Sequence, residues 1–233
     1  NIVNFHGTRL PYNKGGATIS WRILQGDKIE NQLVHLVDGG IDTGPILYSE
    51  KKIVSPECKT PKDYINFYNK NFVIFYKSFI SKILKKQKFN LINQSKYIGT
   101  YFPRLNKEIS SWLDWNMDSL SLIRFINAFD EPYNGAKTFI NNKTVYLKKA
   151  HLHSNEPFTH PYSKGLVSRN DKKWLVVNSI DSNSILIEKI LDKNGNNLLD
   201  KIKAGSRFYT PTNKLDQNYK KKILYTSTGL KIV

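Results

Sequence analysis

The hydrophobic pattern changes period near Ala136, and that change divides the chain into two kinds of structure. Upstream, Ile65, Tyr68, Phe72, Phe75, Phe79 and Ile83 recur three or four residues apart within 61–87, the spacing of one helical face. Thr60 is a suitable N-cap, Pro61 is tolerated in a first turn, and Lys82, Lys85 and Lys86 suit the C-terminal end of the helix dipole. The aromatic stripe reads as core and not as a cofactor box. Downstream, short β-rich runs at 138–140, 144–147, 165–168, 174–178 and 184–190 are separated by turns such as Asn141-Asn142 and Lys193-Asn194-Gly195. Regular short strands with turn signals predict a small barrel or sandwich.

The remaining elements follow from local chemistry. Residues 2–6 read as a buried parallel strand, 32–37 and 46–54 as further strands, and 17–24 as a short helix closed by Gly26. Residues 89–106 are rich in Asn, Lys and Gly and read as a linker. Asp118 or Ser119 caps a second helix that runs through Ala128. The expected division is 1–98 as an α/β domain, 99–135 as linker and helix, and 136–233 as a small β-rich domain.

Composition limits the function classes. No apolar run reaches the ~18 residues that a membrane span needs, so a cytoplasmic protein with no membrane partner is expected. The single cysteine, Cys58, leaves no intrachain disulfide and points to a reducing compartment. The formal charge of +17 favours polyanion partners. Only six of the 36 basic residues are arginine, however, and a Lys/Asn/Ile bias of this kind also follows from an AT-rich genome.

Chemistry concentrates in two blocks. The first runs Asn4-Phe5-His6-Gly7-Thr8-Arg9-Leu10-Pro11 and the second Gly39-Gly40-Ile41-Asp42-Thr43-Gly44-Pro45-Ile46-Leu47. Asn4 and His6, two apart on a strand, share a face. Gly7 is read as leaving the space beside His6 open, and Asp42 sits in a loop whose glycines allow unusual dihedrals. An amide donor, an imidazole and a carboxylate at one strand edge suit acyl transfer to nitrogen. The amide holds a developing oxyanion, the imidazole assists it or relays a proton, and the carboxylate orients the imidazole or takes the amine's proton. His151-Leu152-His153 reads as an outward strand face and not a metal pair. His35, within an apolar run, reads as a core or site-edge histidine. Trp112 and Trp115 read as packing.

The two blocks resemble the N-x-H…D signature of the folate-dependent formyltransferases. This is the family of methionyl-tRNA, glycinamide ribonucleotide and sugar-nucleotide formyltransferases. The likeness continues at Tyr101-Phe102-Pro103-Arg104, Leu113-Asp114-Trp115 and Arg124 through Ala136, and becomes vague beyond Leu147. It implies an α/β fold: a Rossmann-like formyltransferase domain, here its C-terminal half, followed by a small mostly-β C-terminal domain. The family carries the first half of that domain before the N-x-H strand, and this chain opens at Asn1 without it. By the resemblance, Asn4, His6 and Asp42 are the catalytic trio, N10-formyltetrahydrofolate is the donor, and no metal is required. Gly39, Gly40 and Ile41 are implied neighbours of the pterin. Arg9 is a candidate grip for an acceptor phosphate or a surface ion pair, and Tyr133 and Asn134 are candidate acceptor contacts where two domains meet. The acceptor is expected to be an amino-sugar nucleotide, with initiator tRNA as the alternative. A non-catalytic binding module of the same fold is the reading from another class.

Overall fold

The strand that carries Asn4 and His6, β1 (Val3–His6), lies at the edge of a sheet. The computed structural model describes residues 2–153, 159–226 and 229–233. It divides into two units, Asn1–Arg22 with Gly26–Arg104 and Ile23–Gln25 with Leu105–Val233.

The chain continues through β2 (Asn13–Gly15), α1 (Thr18–Gln25), β3 (Ile29–Leu36), β4 (Ile46–Ile53), α2 (Pro61–Leu84) and β5 (Thr100–Phe102), all in the first unit except the last three residues of α1. One sheet has the order β1-β3-β4, and both pairings are antiparallel. Residues 2–6 were expected as a buried strand with parallel neighbours; among the described residues β1 pairs with β3 alone, antiparallel, and Ile2 and Val3 are exposed. The buried strand is β3, where every residue from Glu30 to His35 is inaccessible. Side-chain alternation explains how β1 serves two purposes. Phe5 faces α2, its ring 5.5–6.4 Å from those of Phe72, Phe75, Tyr76 and Phe79. Asn4 and His6 point to the other face.

Helix α2 begins as its sequence dictates. The Thr60 side chain accepts from the Asp63 N–H, and the Asp63 carboxylate accepts from the Thr60 N–H, a reciprocal cap that satisfies two otherwise orphaned donors. The segment read as a linker holds more structure than its composition suggested. β5 pairs in parallel with β2, and Ile92 bridges Ile46. Gly15 makes the first pairing possible: its φ is +98°, and a Cβ there would lie 2.3 Å from the Phe102 carbonyl.

The second unit is the small barrel. Helix α3 (Ser119–Ala128), capped by Asp118, precedes β6 (Ala136–Ile140), β7 (Lys143–His153), β8 (Val167–Asn170), β9 (Leu175–Asn178), β10 (Ser184–Leu191) and β11 (Phe208–Tyr209). The six strands follow the order β11-β6-β7-β10-β9-β8, and a bridge from Leu166 to Arg207 joins the two edges. Closure abolishes the open edges that a flat sheet would leave. Alternate positions Val145, Leu147, Leu175, Val177, Ile185 and Ile187 are fully buried, as barrel packing requires. Trp112 stacks on Phe139 and Trp115 on Phe208. The unit also contains α4 (Thr212–Lys220) and the hairpin β12 (Ile223–Thr226) and β13 (Gly229–Ile232). Among the described residues no helix is long and apolar enough to cross a membrane.

Candidate active site

The site lies on the face of β1 opposite α2, and sheet register assembles it. Asn4 stands directly opposite His35 on β3, and the Asn4 amide nitrogen is 3.1 Å from His35 Nε2. His35 Nδ1 is 2.8 Å from the Leu36 carbonyl, which can only accept. His35 therefore carries its proton on Nδ1 and presents the Nε2 lone pair to Asn4. One N–H of the Asn4 amide is held there, and the second is left for another acceptor. A residue read as core or site edge thus orients the trio's amide. The signal that marks it is its position opposite Asn4, which becomes readable only once the pairing is known.

His6 is oriented in the same way from the other side. Its Nε2 lies 2.7 Å from the Thr8 hydroxyl and 3.3 Å from the Asn13 carbonyl, and Thr8 itself donates to that carbonyl at 3.0 Å. The tautomer that satisfies all three contacts has the proton on Nε2 and a bare Nδ1. Burial pushes the His6 pKa below the ordinary histidine value. The Asp42 charge and the Asn13 carbonyl oppose that shift, and His35 adds to it. His6 is accordingly a neutral imidazole near pH 7.

Asp42 reaches both rings. One carboxylate oxygen is 3.8 Å from His6 Nδ1 and 3.8 Å from His35 Nε2, and the other accepts from the Gly15 N–H at 3.0 Å. The 3.8 Å separations exceed a hydrogen bond, so the carboxylate faces the rings across a gap and does not bond them directly. The unusual dihedral of its loop falls on Asp42 itself, with φ +54°, a left-handed value that aspartate tolerates better than most residues. Gly44 is needed for close approach: a Cβ there would stand 1.8 Å from the Leu36 carbonyl. Gln94, from the supposed linker, clamps the loop by donating to the Asp42 and Gly44 carbonyls at 3.0 and 2.7 Å. Gly7 serves a purpose other than the one expected. The space beside it is filled by the Tyr68 ring, 2.8 Å from where a Cβ would sit.

The other candidate residues are distributed as follows. Ile41 is exposed, Gly39 has open space where a side chain would go, and the Gly40 N–H donates to Asp38, which also accepts from Thr43. Arg9 is held by Asp27 at 2.8 Å and lies over the Tyr12 ring, so of its two readings the geometry realises the ion pair. Tyr133 and Asn134 belong to the second unit, where the Tyr133 carbonyl accepts from Lys148 at 2.9 Å. His151 pairs with Glu188 across β7 and β10 at 3.0 Å.

An amide, two imidazoles and a carboxylate converging on a β-strand edge, in a chain that continues into a closed barrel, define a class. The chain belongs to the formyl transferase family. The family model for formyl transferase matches residues 1–71 and that for the formyl transferase C-terminal domain matches 106–200, together more than two thirds of the chain. Among curated proteins it is similar to methionyl-tRNA formyltransferase of Nitrosococcus oceani, 28% identical over 64% of this chain and 45% of that protein. The enzyme of that name from Wigglesworthia glossinidia brevipalpis is 30% identical over 72% of this chain and 52% of that protein. The chain thus spans about half the length of the curated relatives it matches. Among solved structures it shares the fold of WlaRD, a sugar 3N-formyl transferase crystallised with dTDP and 5-N-formyl-THF. There the TM-score is 0.63 and the identity 22%, over 80% of this chain and 64% of that one.

Proposed function

We propose that this site transfers a formyl group from N10-formyltetrahydrofolate to the amino group of a nucleotide-linked amino sugar. The observation that carries the reading is the convergence of Asn4, His6, His35 and Asp42 at a solvent-reachable edge. The amine nitrogen attacks the formyl carbon, and the free Asn4 N–H stabilises the tetrahedral oxyanion. The proton shed by the amine passes through water to Asp42, which faces the bare His6 Nδ1 at 3.8 Å, and is returned to the folate nitrogen as the carbon–N10 bond breaks. The products are the formamide and tetrahydrofolate. Because the His6 proton is committed to Thr8 and Asn13, His6 enters as a proton acceptor and not as an oxyanion donor. Gly39, Gly40 and exposed Ile41 fit a pterin contact.

The first loop supports a small acceptor. It reads Thr8-Arg9-Leu10 and Gly15-Gly16-Ala17-Thr18-Ile19-Ser20, without the proline that follows the glycine pair in the tRNA-directed members that the sequence resembles. The formal charge of +17 and the methionyl-tRNA formyltransferase relatives favour the second reading, initiator tRNA. One assay separates them: N10-formyltetrahydrofolate is offered with dTDP- and UDP-amino sugars or with charged initiator tRNA, using wild type, His6→Ala and Asp42→Asn. Formylation of a sugar nucleotide that both substitutions abolish is the expected result. Transfer to tRNA alone, with a steep salt dependence, replaces the acceptor. Undiminished turnover in both folded variants removes the catalytic assignment.

A further inference from the structure

We propose that His6 Nδ1, His35 Nε2 and the facing oxygen of Asp42 form a binding site for a divalent transition-metal ion of the zinc type, acting as an inhibitor and not a cofactor. The three atoms all lie within 4.8 Å of one another, and the Asp42 oxygen is 3.8 Å from each ring nitrogen. What distinguishes this cluster from a chance meeting of polar groups is where the protons are. His6 commits its N–H to Thr8 and Asn13, and His35 commits its own to the Leu36 carbonyl. His6 Nδ1 is therefore bare, His35 Nε2 is unprotonated and accepts only the Asn4 amide, and both lie 3.8 Å from the same carboxylate oxygen. A metal-binding histidine has its distal N–H anchored on a carbonyl or hydroxyl and its proximal nitrogen unprotonated, which holds for both rings, with a neutral amide N–H as the group that a metal would displace from His35. Three Lewis-basic atoms within 4.8 Å of one another, none protonated toward the others, can share a cation between them.

The geometry selects the ion. Bonds of ~2.0–2.1 Å at a tetrahedral centre put neighbouring ligand atoms ~3.3 Å apart, so each 3.8 Å separation closes by about half an ångström. Two imidazoles and one carboxylate suit zinc, cobalt or nickel, whereas magnesium prefers all-oxygen octahedra with tighter spacing. The ion takes the His35 lone pair from the Asn4 amide, 3.1 Å away, so Asn4 is a competitor of the metal and not a ligand. Water completes the coordination. Binding rests on the ligand geometry alone. That it inhibits rests on the formyl-transfer reading, because the ion occupies the lone pairs that relay the proton.

The test uses the chelator-stripped chain titrated calorimetrically with ZnSO4 near pH 7.5, with neither folate nor acceptor present, so its outcome is independent of the transferase assay. One zinc per chain is expected, with millimolar Mg2+ failing to compete. His6→Gln and His35→Gln should each weaken binding by about 100-fold or more. Asn4→Ala should bind as tightly as wild type or more so, and His151→Gln, which removes the histidine beside Glu188, should change nothing. Should a substitution unfold the chain, Co2+ added to wild type gives a second reading. Tetrahedral d–d bands, with shifts at His6 Nδ1 and His35 Nε2 in long-range imidazole 1H–15N spectra, support the site. No stoichiometric binding, equal affinity for Mg2+, or zinc retained by both His6→Gln and His35→Gln overturns it.

Discussion

Replacing Gly44 by alanine should disable the site without adding or removing a single polar group. The added methyl would stand 1.8 Å from the Leu36 carbonyl oxygen, roughly 1.2 Å short of the 3.0 Å at which real Cβ contacts begin. The obstacle is backbone and a Cβ is fixed by its own backbone, so no flexible side-chain end can swing away. Relief must come from the 38–44 loop or from the end of β3. Either movement disturbs the chemistry: Asp42 sits two residues before Gly44, and the Leu36 carbonyl holds the His35 N–H at 2.8 Å. A displacement of about 1 Å in a reacting group can lower the rate by about 100-fold, equivalent to about 2.7 kcal/mol of barrier. The accompanying overpacking costs about 1–3 kcal/mol of stability. Formyl transfer by the purified variant, measured as kcat/KM beside a thermal melt, checks both numbers. Turnover within twofold of wild type would show that the position of the Asp42 carboxylate does not set the rate.

Other expectations concern the support of the site. Arg22 and Glu30 form a fully buried ion pair at 2.8 Å, and burial raises the Glu30 pKa against the pull of Arg22. Glu30→Gln, or Arg22→Met in a separate variant, leaves a buried charge uncompensated and should lose about 3–5 kcal/mol in denaturant unfolding. A loss below 1 kcal/mol in both would mean that water reaches the pair. The lowered His6 pKa makes a pH prediction whose sign is fixed. Between that lowered value and the ordinary 6.5 the unfolded chain binds more protons, so stability rises with pH across the window and levels off above it. Denaturation of wild type and His6→Gln from pH 5 to 7.5 should show this increment in the wild type only.

Much of the fold was legible because its determinants are local. The period of the apolar residues in 61–87 and the Thr60–Asp63 cap declare α2, and the turn-separated β runs declare the second unit. Sequence left barrel and sandwich open because the closing contact, Leu166 to Arg207, joins residues far apart in the chain. The antiparallel partner of β1 was not legible, because an apolar run looks the same in either environment, while its neighbour is chosen by long-range pairing. The strand within 89–106, read as a linker, was not legible because β5 is three residues long and its parallel partner β2 lies 87 residues earlier, Asn13 opposite Thr100.

The sequence alone determined which chemical groups are available. Asn4 and His6 share a face because strand side chains alternate, and an aspartate follows in a glycine-flanked loop. Only the tertiary structure decided what those groups do. Pairing β1 against β3 set His35 opposite Asn4, folding the loop against β2 gave Asp42 the Gly15 N–H, and Thr8 with Asn13 settled which nitrogen of His6 is bare. The physical reason is that the identity of a side chain is local, whereas its proton position and its neighbours depend on hydrogen-bond partners that only the assembled sheet brings within reach.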